Sequence, residues 1–89
     1  MTAKVLQDRI RGFLTKRVGE TMRRNLNEDY DLLASGILDS LAVLDTVAFI
    51  EAEFAVALTD DDLTPDNFRT IGAMVSFVSG KLEGRPALG

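Results

Sequence analysis

Apolar side chains in this chain recur every three or four positions, the period of helices buried along one side, and nowhere alternate with period two for long enough to demand a strand. Leu6, Ile10, Phe13 and Leu14 form the first stripe, with Arg9, Arg11 and Lys16 off it. They predict a helix from about Thr2, a suitable N-cap, to Val18, with Gly19 as a natural stop. Residues 19–39 then read as a long connection. Asn25, Asn27, Asp29 and Asp31 are turn formers, while Leu32, Leu33, Ile37 and Leu38 are expected to fold back and hold the loop to the body.

A second helix is predicted from Asp39 or Ser40 to about Phe54, with Val43, Val47, Ile50 and Phe54 as its buried stripe. A second line along it, Leu41, Leu44, Asp45, Ala48 and Ala52, is small and apolar with one acid. If the first line is core, the second is largely exposed and suggests a docking surface, though a second core face would use the same residues. Thr59-Asp60-Asp61-Asp62 can cap a short turn ending near Leu63. Thr64-Pro65-Asp66-Asn67-Phe68 reads as a capped short helix with Pro65 at its first position. The last helix is predicted from Thr70 to Leu82, with Ile71, Met74, Val75, Val78 and Leu82 inward. Residues 84–89 look like a frayed tail after a single domain of 1–83. The expected fold is all-α, a four-helix bundle of three long helices and one short one, with the long loop between the first two.

Composition narrows the chemistry. The 89 residues include no cysteine and no histidine. Disulfides, thiol chemistry and the commonest metal ligand and general base at neutral pH are therefore missing. Charge is uneven: residues 1–24 carry seven basic and two acidic side chains, a sum of +5, and residues 25–89 carry three basic and twelve acidic, a sum of −9. An acidic surface disfavours nucleic acid and favours basic protein partners. The basic N-terminal stretch reads as the solvated side of an amphipathic helix. No segment approaches the roughly 20 apolar residues of a membrane span, and no signal-peptide run is present, so a soluble, cytoplasmic protein is expected.

The acidic run Asp60–Asp62 is not an EF-hand, since Pro65 and Ile71 stand where the loop needs Gly and Glu. No metal site is expected. Nor are catalytic residues: no histidine can activate Ser40, and Glu51 and Glu53 face different directions on a helix.

The most informative stretch is Gly36-Ile37-Leu38-Asp39-Ser40-Leu41. Glycine reaches positive φ cheaply, the two aliphatic residues can anchor the loop, and Ser40 falls at a helix N-terminus, where backbone amides and the helix dipole favour an anion such as a phosphate ester. Asp-Ser at a helix start also serves as an ordinary cap. The extended motif, however, resembles the hallmark of the acyl carrier and peptidyl carrier protein family: a glycine, two aliphatic residues, Asp-Ser and Leu or Met where a long loop meets the second of four helices. Leu33 and Asp31 resemble the family's loop positions, Ile50-Glu51-Ala52-Glu53-Phe54 its second-helix end, and Leu63-Thr64-Pro65-Asp66-Asn67-Phe68 the third-helix region of many peptide-synthetase-type and stand-alone carriers. The likeness extends over about residues 3–82.

This resemblance implies that a phosphopantetheinyl transferase, using coenzyme A and magnesium, attaches 4'-phosphopantetheine to Ser40. The arm's thiol then holds an acyl or aminoacyl thioester, so the cofactor supplies the sulfur the sequence lacks. Asp39 would help present Ser40, and Leu41, Leu44, Asp45, Ala48 and Glu51 would face partners: the transferase, an acyl- or aminoacyl-activating ligase or acyltransferase, and a downstream synthase. The chain would be a substrate of enzymes rather than an enzyme, and a monomer presenting its arm to each in turn. One departure concerns the second helix. Fatty-acid carriers are strongly acidic there, whereas Ala42, Ala48 and Ala52 stand at positions that could be charged. The expectation therefore moves to a discrete carrier in polyketide or nonribosomal peptide biosynthesis, with D-alanyl or fatty-acid carriage and a non-covalent helical adaptor as alternatives.

Overall fold

In the computed structural model residues 2–23 and 26–84 are described, those of 19–23 by their backbone alone. The elements follow in the order α1 (Ala3–Arg23), α2 (Ser40–Phe54), a 3-10 turn (Asp60–Asp62), α3 (Pro65–Phe68) and α4 (Ile71–Glu83), with no strand among the described residues. This is the all-helical bundle that the periodicity predicts. The turn former Asn25 and the proposed tail from residue 85 onward lie outside the described residues; Gly84 ends α4, its amide donating to Gly80 O at 3.0 Å.

The first helix is longer than predicted. It begins as expected, with Thr2 Oγ1 accepting from Val5 N at 3.3 Å, but it runs through Gly19 to Arg23. A glycine inside a helix costs only about 1 kcal/mol relative to alanine, and helices in folded proteins owe most of their stability to packing of one face. Gly19 is thus too weak a signal to stop a 21-residue element.

The core draws on all four α-helices and on the loop before α2. Leu6, Ile10 and Leu14 of α1 meet Ile71, Met74 and Val78 of α4 in a single buried cluster, completed by Ile50 and Phe54 of α2, Phe68 of α3 and the loop residues Leu26, Leu32 and Leu38. Each fully buried leucine or isoleucine contributes on the order of 1.5–3 kcal/mol. The 26–39 loop folds back as predicted: Leu32 N donates to Arg69 O at 2.7 Å and Leu38 N to Leu32 O at 3.0 Å. These bonds satisfy backbone groups that would otherwise be buried without partners.

The buried line of α2 differs from the predicted one. Ala42, Thr46, Ile50 and Phe54 are buried, and Val43 and Val47 are only half-buried. Thr46 escapes a hydropathy reading because it is polar, but its hydroxyl donates to Ala42 O at 2.7 Å, which removes the cost of burying it. Ala42, expected among the outward alanines, lies inside with 3 % of its surface exposed.

Candidate functional site

The local geometry at the start of α2 is set by the loop before it. Gly36 adopts φ +82°, the left-handed conformation that glycine enters without strain. The turn ahead of it is tied by Asp31, whose carboxylate accepts from Ala34 N at 2.8 Å and Leu33 N at 3.1 Å. That Ala34 hydrogen bond does most to hold the Asp31 carboxyl below the ordinary carboxylate value. Against a partial loss of solvation, the Arg69 guanidinium at 3.6 Å and the Leu33 amide also lower it. Ser35 Oγ donates to Leu32 O at 3.1 Å, so that hydroxyl is engaged within the loop.

Asp39 is the N-cap of α2, with extended backbone and its Oδ1 accepting from Ala42 N at 2.8 Å. Ser40 is therefore the first helical residue. It lies between two fixed points, buried Leu38 before it and buried Ala42 after it, yet is itself exposed. The backbone is held on both sides while the hydroxyl stays in solvent. The first amides of a helix have no acceptor within it; Asp39 takes that of Ala42, and Ser40 stands at the positive end of the dipole of a 15-residue helix.

Beside Ser40 a groove of about 470 Å³ opens between α2 and the α3 region, with Leu33, Leu38 and Val43 on one side and Leu63, Pro65 and Phe68 on the other. The groove was not legible in the sequence. Val43 reads as an ordinary core residue there, and Leu63 as a turn end. The wall they share exists because the 3-10 turn is fixed to α4: Asp62 Oδ2 is 2.7 Å from Lys81 Nζ and accepts from Thr59 N at 2.8 Å, while Asn67 Nδ2 donates to Asp62 O at 2.8 Å. The Lys81 contact is the main cause that holds the Asp62 carboxyl below its usual range.

The residues expected to face partners are distributed as follows. Leu41 and Leu44 project into solvent with 73 % and 57 % exposure, and Ala48 is exposed on the same line. Asp45 is exposed and pairs with Arg17 of α1 at 2.9 Å. Glu51 is half-buried, and its Oε2 accepts from Leu58 N at 2.9 Å, tying down the segment after α2. Arg17 was not singled out by sequence reasoning. The signal available was a spacing: Arg9 and Arg17 are eight apart on α1, as are Asp45 and Glu53 on α2, so each pair shares one helix face.

The family model of the phosphopantetheine attachment site matches residues 12–78, from the middle of α1 to near the end of α4. The chain belongs to the phosphopantetheine attachment site family. No curated protein matches it. Membership makes it a carrier domain of the acyl and peptidyl carrier kind, whose prosthetic group is covalent 4'-phosphopantetheine. That group supplies the thiol on which cargo is held. The residues present fit it: an exposed hydroxyl on a fixed backbone at a helix N-terminus accepts a phosphate ester without displacing a buried side chain. Carrier domains of this kind generally hold cargo for other enzymes rather than act as catalysts. Among the described residues no helix is long and apolar enough to cross a membrane, and no group of three or more potential ligands could hold a metal ion.

Proposed function

We propose that Ser40 is the residue that bears the phosphopantetheine arm, and that the loaded chain delivers an acyl or aminoacyl thioester to partner enzymes in polyketide or nonribosomal peptide biosynthesis. The observation that carries this reading is the exposed Ser40 hydroxyl at the start of α2, fixed between buried Leu38 and Ala42 and capped by Asp39. Asp39 would act as a positioning residue, holding the first turn in which Ser40 is presented to the transferase. Leu41, Leu44, Asp45, Ala48 and Glu51 mark the side of α2 from which partners approach.

The cargo proposed is short. Ile50, Ile71, Met74 and Val78 are wholly buried around the bundle axis, and the groove beside Ser40 is an open surface feature. A long acyl chain would have to displace Leu38 or Phe68, whereas an aminoacyl or short acyl group fits without repacking.

Intact mass after incubation with a broad-specificity phosphopantetheinyl transferase, coenzyme A and magnesium tests the assignment. The wild type gains one phosphopantetheine and Ser40→Ala gains none. A folded wild type that gains nothing, even with the transferases of its own organism, would leave Ser40 as a helix start alone and favour a non-covalent adaptor.

A further inference from the structure

The outward side of α2 has an unusual electrostatic character. Its three carboxylates, Asp45, Glu51 and Glu53, are all engaged within the chain, and it has no basic residue. Glu51 accepts from Leu58 N at 2.9 Å. The other two meet α1 in an antiparallel ladder with a step of four residues on each helix. Arg9 pairs with Glu53 at 2.7 Å, Phe13 stacks on Phe49 with ring centroids 4.4 Å apart, and Arg17 pairs with Asp45 at 2.9 Å. Arg17 also lies 5.9 Å from the centre of the Phe13 ring, a cation–π contact that helps to hold it against Asp45. Exposed ion pairs of this kind add little stability. Their larger effect is on the field: a carboxylate with a guanidinium against it offers an approaching partner almost no net charge, and what remains is screened within about 8–10 Å.

We infer that α1 masks the charge of α2, so that the docking face, which rests on the carrier reading above, fits a partner with an apolar, uncharged socket for Leu41 and Leu44 rather than a cationic one. Arg17 sets this preference, because its partner Asp45 adjoins Leu44 on the exposed line. The basic N-terminal helix and the alanine-rich second helix thus belong to one device. The first supplies the cations that neutralise Asp45 and Glu53, Glu51 is turned to the Leu58 amide, and two exposed leucines are left as the recognition feature.

The test compares rates of modification of the apo chain by a phosphopantetheinyl transferase with a basic docking face, as kcat/KM ratios to wild type at 50 and 500 mM NaCl. Ratios cancel the enzyme's own response to salt. Arg17→Gln, which unmasks Asp45, is expected to raise the ratio to about 3 at 50 mM and return it to about 1 at 500 mM, the signature of electrostatic steering. Arg17→Lys keeps the charge and stays near wild type at both. Leu44→Ser lowers the ratio to about a tenth at both salts, because its loss is of apolar contact. An Arg17→Gln ratio of one or less at 50 mM overturns the masking, and a Leu44→Ser ratio near one overturns the apolar socket. Should the wild type take up no arm at all, the carrier reading fails first and this inference fails with it.

Discussion

The starts of α2 and α4 obey the same local rules and leave their first residues in opposite surroundings. Each has an extended N-cap whose side chain accepts from the amide three residues on: Asp39 from Ala42 at 2.8 Å, and Thr70 from Ala73 at 3.0 Å. The next residue differs in fate. Ile71 is wholly buried, while Ser40 is exposed beside a groove. The same contrast continues along the helices: α4 turns Met74 and Val78 inward, and α2 keeps Leu41 and Leu44 in solvent. Capping chemistry therefore does not separate the two helix starts. What separates them is a polar first residue left outside by a backbone that is fixed on both sides.

That contrast can be broken at several points. The largest effect is expected from Ile71→Ala, which should cost about 3 kcal/mol of unfolding free energy in a urea melt, the range for a buried isoleucine truncated to alanine. At the equivalent helix position Ser40→Ala should shift stability by less than about 0.5 kcal/mol, as exposed substitutions do, while abolishing the mass gain. A large destabilisation by Ser40→Ala would erase the distinction between the two helix starts. Next come the caps. Asp39→Ala and Thr70→Ala should each cost about 1 kcal/mol, and only Asp39→Ala should also slow modification of Ser40, as measured by the initial rate of arm transfer.

A smaller gain is expected at the other end of α2. Ala55 closes that helix at φ 54° and ψ 45°, a left-handed cap in which glycine is the preferred residue. Ala55→Gly should raise stability by about 0.5 kcal/mol, relief of the side-chain clash being partly offset by the greater freedom of glycine when unfolded. Thermal melts at pH 7 would resolve it.

Asp31 holds the loop before Ser40, and Asp62 holds the turn that walls the groove; both carboxyls sit below their ordinary value in the fold. A depressed folded pKa means that the ionised form is favoured by folding. Its contribution is complete above the unfolded pKa of about 3.9 and is lost as pH falls through the folded value. Asp31→Asn and Asp62→Asn should therefore lower Tm at pH 7, and their deficit against wild type should shrink below about pH 4. A deficit that persists unchanged into that range would mean that the hydrogen bonds do not depend on the ionised carboxylate.

The sequence was legible where a local rule and the tertiary context agreed. The start of α2, Pro65 at the head of α3, the Thr70 cap and the fold-back of Leu32 and Leu38 were all readable, because caps, turn residues and apolar anchors carry their signal within a few positions. It misled where context overrode a weak preference. Gly19 stops nothing, since the packing of α1 outweighs the glycine penalty. Thr46 is buried, since its hydroxyl finds Ala42 O within its own helix. The half-buried Val43 faces the groove, since the α3 region approaches from that side.

By itself the sequence determined the helical class, the order of the elements, the absence of thiol and imidazole chemistry, and the Gly-Ile-Leu-Asp-Ser-Leu motif that names the candidate serine. These follow from residue identity and short-range spacing, which do not depend on how the helices meet. Only the tertiary structure decided that α1 lies antiparallel to α2 with Arg9 and Arg17 against Glu53 and Asp45, that Glu51 is taken up by the Leu58 amide, and that Leu33, Val43, Leu63 and Phe68 enclose a groove beside Ser40. Most of those contacts join residues far apart in the chain, and even Glu51 and Leu58 meet only because the chain turns back at Ala55. Their geometry is set by the packing of the buried cluster, and no local pattern of residues encodes it.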